Sequence, residues 1–385
     1  MNGSTANPLG RRTLLAGAVA VPLGAALGLG RGGSPAAAAG RRPGSLTVTG
    51  AAPDRGLTTL FDGYSDSGVG WTGADSTYSV RLPDGRIVWI FSDTFLGPVH
   101  PDGSRPQDTP FLNNSFVVQQ GSRLTTVHGG TADAPEALLP PDDDGWYWAG
   151  AGMVGAGTLN VTYHQFHRTG TGIWDFAWLR SVLARFTLDT LTLIDVTPLP
   201  SDVPNLESAS WLLSTGGHTY AYRVEDLGSD KYLHVARVAG DDLRAPWRFW
   251  TGSGWSADQT ASTRVQAGVS NEYSVTRVGS EYLLLTQDTT ELLSPHVVAY
   301  SAATPTGPFT GRTAVYTTPE TGADGSYHNG NVYTYNPHVH PELSSARELL
   351  VSYNVNSFDN QDLYGDVSIY RPRFVRVTLG SAGGR

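Results

Sequence analysis

Tyr78-Ser79-Val80-Arg81-Leu82-Pro83-Asp84-Gly85-Arg86-Ile87-Val88-Trp89-Ile90-Phe91-Ser92-Asp93 reads as one β-hairpin. Strand-forming residues alternate on both sides of Leu82-Pro83-Asp84-Gly85-Arg86, which fits a three-residue loop: a type I turn closed by Gly85 in the left-handed region. This turn pairs Leu82 with Arg86, and therefore Val80 with Val88 and Tyr78 with Ile90. Carried back through Gly73-Ala74-Asp75-Ser76-Thr77, the register sets Asp75 opposite Asp93, with Cβ atoms about 4.5–5.5 Å apart. Two carboxylates that close resist joint ionisation. One pKa rises, which lets an acid and a base coexist near neutral pH.

The same pattern, an entry segment, a turn and an apolar strand ending in small or polar residues, recurs along the chain. Its strand ends are Phe91-Ser92-Asp93, Val161-Thr162-Tyr163, Tyr220-Ala221-Tyr222, Leu285-Thr286-Gln287 and Val351-Ser352-Tyr353. A second echo fixes the phase: Arg244-Ala245-Pro246-Trp247 in the third unit matches Thr306-Gly307-Pro308-Phe309 in the fourth. Helical periodicity is nearly absent, so the expected fold is all-β, a five-bladed β-propeller over residues 57–380.

In such a fold the first strand of each unit lines a central channel, and one end of these strands forms a ring. Asn271-Glu272-Tyr273-Ser274-Val275 overlays the first unit, setting Glu272 at the place of Asp75 and Gln287 at that of Asp93. The fifth unit brings Tyr327-His328-Asn329, with Asn354 and Asn356 beyond its second strand. Asn271, Tyr273, Tyr327, His328 and Asn329 are thus expected to contact substrate. Trp71 and Trp148, each just before an inner strand, are expected to wall sugar subsites, and Asn114, after the long loop from Leu96 to Phe111, to present an amide. Acids, amides, a histidine and aromatic faces together suit a sugar.

The N-terminus reads as an address. Arg11-Arg12-Thr13-Leu14-Leu15 precedes an apolar run, and Ala36-Ala37-Ala38-Ala39 offers a cleavage site, so residues 1–39 are expected to be a twin-arginine signal and the protein to be secreted. Residues 40–56 are expected to form a flexible leader. Loss of the signal's three arginines takes the formal charge from −9 to about −12. That acidity disfavours nucleic acid and anionic membranes as partners. The absence of cysteine removes thiol chemistry and thiolate metal sites. His164-x-x-His167 and His338-x-His340 lack zinc-helix spacing, and Asp142-Asp143-Asp144-Gly145 lacks a full calcium loop, so neither metal nor cofactor is expected.

Trp71-Thr72-Gly73-Ala74-Asp75-Ser76, Trp89-Ile90-Phe91-Ser92-Asp93-Thr94-Phe95, Asn113-Asn114-Ser115-Phe116 and Ser270-Asn271-Glu272-Tyr273-Ser274 resemble glycoside hydrolase family 183, the endo-D-arabinanases. The resemblance spans residues 57–378. It implies a five-bladed propeller that cuts internal α-D-arabinofuranosyl linkages of arabinogalactan and lipoarabinomannan, with Asp75 and Asp93 as the two working aspartates. Such hydrolysis needs one carboxyl to protonate the leaving oxygen and one carboxylate to act on the other face of the sugar. Asp93, following Ile90-Phe91, is the expected acid, and Asp75 the expected base, with inversion favoured. Three alternatives stand beside this: Glu272 as the acid with Asp93 tuning its neighbour, another furanoside such as L-arabinan as substrate, and a sugar-binding propeller without catalysis.

Overall fold

The computed structural model describes residues 47–141, 145–172 and 175–380. Residues 1–39, read above as a signal, the first residues of the segment read as a leader, and Asp142-Asp143-Asp144 lie outside these residues. The fold is all-β. Among the described residues, five sheets carry four or more strands, and each is built of antiparallel neighbours, in chain order except where Thr47–Pro53 joins the last.

In the first sheet, Tyr78–Arg81 pairs with Ile87–Phe91 in the expected register, Tyr78 opposite Ile90 and Val80 opposite Val88. Leu82 N–H donates to Arg86 O at 2.8 Å, and Gly85 has φ 91°, as the turn requires. Ser76 and Thr77, at φ 70° and 57°, then break the ladder, and beyond them it resumes with Ala74 opposite Thr94 and Gly73 opposite Phe95. Asp75 N–H donates to Asp93 O at 3.2 Å. The two aspartates therefore sit side by side at the interruption.

The second strands of the five sheets, Ile87–Phe91, Thr158–Arg168, His218–Leu227, Glu281–Gln287 and Glu348–Ser357, hold or abut the five strand ends read from the sequence. Their inner partners touch in sequence: Trp146–Gly155 lies between Tyr78–Arg81 and Leu206–Thr215, and Ser274–Val278 between Leu206–Thr215 and Val332–Val339. The ring closes where Tyr78 meets His338, ring centroids 4.1 Å apart, and Ser79 Oγ meets His340 Nδ1 at 2.5 Å.

One expectation fails. Thr47–Pro53, inside the segment read as a flexible leader, is the outer strand of the fifth sheet and pairs along Pro372–Gly380 from Thr47 opposite Gly380 to Pro53 opposite Val375. Capping that edge removes a row of unpaired backbone groups, which a single exposed strand of small residues does not advertise in its own sequence. A helix follows, Arg55–Asp66, opened by Asp54, whose carboxylate accepts from Leu57 N–H at 3.0 Å. It buries Phe61 against Trp71, Trp89 and Phe374, with ring centroids 5.3–5.4 Å away. The fold thus includes Thr47–Pro53, upstream of the expected boundary at residue 57.

Candidate active site

Successive inner strands bend at one depth. Ser76 and Thr77 in the first sheet, Ala209 (φ 61°) in the third and Asn336 (φ 53°) in the fifth adopt left-handed conformations, and the second sheet shifts register between Ala149 and Gly152. Such irregularities turn side chains out of the sheet plane. Here they aim them at a cavity of about 560 Å³ whose wall includes Asp75, Glu207, Glu272, His164, Trp148 and Tyr335. Gly73 serves the same end, because a Cβ there would stand 2.4 Å from Tyr370 O and block the approach of that residue.

Asp75 is only 7 % exposed, and its Oδ2 accepts from Tyr335 Oη at 2.7 Å and Tyr370 Oη at 2.9 Å. Among the described residues nothing is hydrogen-bonded to Oδ1. Burial pushes this carboxyl up to about 6, while the two phenols favour its anion and hold it there. Asp93 is fully enclosed, at 0 % exposure, and does not border the cavity. Its Oδ1 accepts from Asn113 Nδ2 (2.9 Å) and Trp148 Nε1 (2.8 Å), and its Oδ2 has no partner. Burial, and then the charge of Asp75, hold its pKa well above the usual carboxylate range.

Glu272 leans across from the fourth sheet, with Oε1 accepting from Ser76 Oγ and Asn336 Nδ2, both at 2.8 Å. Burial and the charge of Asp75 raise it strongly. His338 Nε2 lies 3.4 Å from its other oxygen, but burial pushes that imidazole down to about 3, so the contact is between uncharged groups. Burial thus raises all three carboxyls, and the charge of Asp75 adds to the rise of Asp93 and Glu272.

Sequence reading missed Glu207. It enters the third inner strand as Glu207-Ser208, echoing Asp75-Ser76, and burial followed by the charge of Asp226 pushes it up to about 8. Also missed were Tyr335, Tyr370, Asn336 and His164. Burial pushes His164 down to about 4, and its Nε2, like Ser210 Oγ, is buried with no hydrogen-bond partner among the described residues.

The other expected contacts divide. Trp148 and Asn271 line the cavity, Trp148 beside Phe166 and Phe176, and Asn271 donating to Asp226 Oδ2 at 2.6 Å. Trp71 does not: it is buried in the core under the helix. Tyr273 points the other way from Glu272, as strand alternation dictates, and its hydroxyl donates to Arg223 O at 2.9 Å. Asn114 is consumed by Leu139 and Tyr147, donating to both carbonyls at 3.0 Å and accepting from Leu139 N–H at 2.7 Å. Tyr327, His328 and Asn329 miss the cavity because the fifth inner strand starts only at Val332. Tyr327 Oη bonds Ser368 Oγ at 2.7 Å, Asn329 Nδ2 donates to Asp362 at 2.7 Å, and His328 is exposed.

Replacing Tyr335 by phenylalanine should raise the pKa of Asp75 further, since it deletes a bond to the anion. A hydrogen bond to a charged group contributes about 1.5–3 kcal/mol, so the acid limb of kcat/KM should move up by about one pH unit or more. A pH–rate profile unchanged in its acid limb would refute a working anion at Asp75.

The family model of a domain of unknown function, DUF5005, matches residues 58–379. The chain belongs to the DUF5005 family. A Bacteroides ovatus protein described provisionally as a hydrolase shares the DUF5005 chain's fold, at 22 % identity and a TM-score of 0.72, over 85 % of this chain and 90 % of that one. Weaker similarity reaches a thermostable family-43 glycoside hydrolase (14 %, TM-score 0.47, 81 % and 95 %). It also reaches the catalytic domain of a Coprinopsis cinerea family-62 α-L-arabinofuranosidase (10 %, TM-score 0.45, 81 % and 94 %). No curated protein matches this DUF5005 chain.

Proposed function

We propose that this protein is an exported glycoside hydrolase that cuts internal α-D-arabinofuranosyl linkages of arabinan, and that its five sheets are the blades of a five-bladed β-propeller. One observation carries the enzymatic reading: a single cavity surrounds an aspartate poised to ionise with neighbouring acids that hold their protons. Glycoside hydrolysis needs that division of labour. Two features favour a sugar as the occupant. Asn271, Asn336 and Lys231 set polar groups in the cavity wall, and Trp148 with Phe166 and Phe176 offers apolar faces. The arabinan, the endo mode and the export route rest on the family-183 resemblance and the twin-arginine signal.

Asp75 is the base. Its anion draws the proton from a water molecule as that water attacks the anomeric carbon. The enclosure of Asp93 argues against contact with a leaving oxygen, and favours a tuning role in which its proton and its bond to Trp148 set the field around Asp75.

Purified protein is incubated with D-arabinan, L-arabinan and galactan, with Asp75→Asn as control. Oligosaccharides from D-arabinan alone are expected. Release from L-arabinan alone would replace the substrate, and binding of D-arabinan without release by the wild type would replace the enzyme with a sugar-binding protein.

A further inference from the structure

We propose that Glu207 is the catalytic acid, the group that protonates the leaving oxygen; this assignment rests on the glycosidase reading above and specifies its missing partner. An inverting pair must flank the sugar, with room for a water, at a carboxyl separation of about 6.5–9.5 Å. Two of the acids around Asp75 are already tied to protein groups. Asp93 shares a backbone bond with Asp75, and Glu272 is tied by hydrogen bonds to Ser76, the residue next to Asp75, and to Asn336.

Glu207 differs in placement and in bonding. It rises from the third inner strand and, with Asp75, lines the cavity. The residue is 6 % exposed, and among the described residues no donor is hydrogen-bonded to its carboxyl. A buried carboxyl that faces a cavity with no protein partner is set up to bond to an occupant. Its surroundings also fit a proton donor. Burial and the nearby Asp226 push it up to about 8, so it is protonated at neutral pH, while Lys231, bonded to Asp226, partly offsets that push. Asn271 anchors the second Asp226 oxygen.

The step balances with water as the only co-reactant. Glu207 gives its proton to the glycosidic oxygen as the bond from that oxygen to the anomeric carbon breaks, and the bonding pair leaves with the oxygen. Water forms the new carbon–oxygen bond from the opposite face and passes its proton to Asp75. Solvent then returns a proton to Glu207 and takes one from Asp75.

The test exploits leaving-group dependence, since an activated aryl leaving group needs no acid. Glu207→Gln, Glu272→Gln and Asp93→Asn are each assayed on D-arabinan and on a dinitrophenyl arabinofuranosyl oligomer. Glu207→Gln is expected to fall about 10²–10⁴-fold on the polymer, to stay within about tenfold of wild type on the aryl substrate, and to lose the alkaline limb of its pH profile. Equal losses on both substrates, unchanged activity on the polymer, or the leaving-group signature in Glu272→Gln or Asp93→Asn would overturn the assignment. If the wild type hydrolyses neither these substrates nor L-arabinan and galactan, the glycosidase reading falls and this one with it; hydrolysis by the wild type with any of the preceding results overturns Glu207 alone.

Discussion

Asp75→Asn is expected to reduce hydrolysis of D-arabinan by about 10²–10⁴-fold, the usual contribution of a general base, while raising the melting temperature at pH 7.5. The two effects have one origin. Burial lifts the Asp75 carboxyl from 3.8 to about 6, so the folded protein holds this proton more tightly than the unfolded chain does. The stability contributed by that proton is fully present below the unfolded value and is lost as pH rises through about 6. At pH 7.5 the ionised carboxylate is therefore a net cost, and the isosteric amide removes it. The Tm advantage of the variant should shrink as pH falls toward 4. The amide oxygen can still accept from Tyr335 and Tyr370, so the cavity wall keeps its shape. Removing the charge should also bring Asp93 and Glu272 down, because both are raised in part by Asp75. Activity and thermal unfolding measured on one preparation check the prediction. A loss of activity accompanied by a fall in Tm at pH 7.5 would point to structural damage instead, and retained activity would remove Asp75 from the chemistry.

Such a destabilising anion is a mark of function rather than of folding, and it explains which parts of the molecule could be read from the sequence. The hairpin register followed from Leu82-Pro83-Asp84-Gly85-Arg86 because turn chemistry is local, and it carried across the Ser76-Thr77 break to set Asp75 beside Asp93. The second strands of the first, fourth and fifth sheets were legible for a similar reason, since each centres on an apolar run buried on both faces. Long-range closure was not. Thr47–Pro53 has an exposed, small-residue pattern, and only its partner at the far end of the chain makes it a strand. Depth was equally hidden. Glu272 and Tyr273 are adjacent, yet one faces the cavity and the other the core, and Tyr327 to Asn329 fell short of the ring by a few residues. Glu207 carried a usable signal, an acid followed by serine at the mouth of an inner strand as in Asp75-Ser76, and applying the repeat to the third unit would have found it. Tyr335 and Tyr370 carried none, because their roles arise from the approach of the fifth sheet to the first.

Trp71→Ala is expected to cost about 3–5 kcal/mol of stability, the range for emptying a large aromatic site, with KM for arabinan unchanged. Its indole is completely buried, edge-on to Phe61 at 5.4 Å and tilted against Phe91 at 5.3 Å, and Phe61 in turn meets Trp89 and Phe374. The helix Arg55–Asp66 thus docks on the first and fifth sheets through one aromatic stack, and removing Trp71 leaves a void that rigid neighbours cannot fill. At about 2–4 °C per kcal/mol for a domain of this order, the melting temperature should drop by roughly 10 °C. Trp148 supplies the contrast. It faces the cavity and donates to Asp93, so Trp148→Ala should raise KM and alter the pH profile while shifting Tm less than Trp71→Ala does. The two tryptophans looked alike as residues preceding inner strands; what separates them is that the helix covers one and the cavity opens beside the other. A Trp71→Ala variant with unchanged Tm and a raised KM would reverse that distinction and return Trp71 to the substrate.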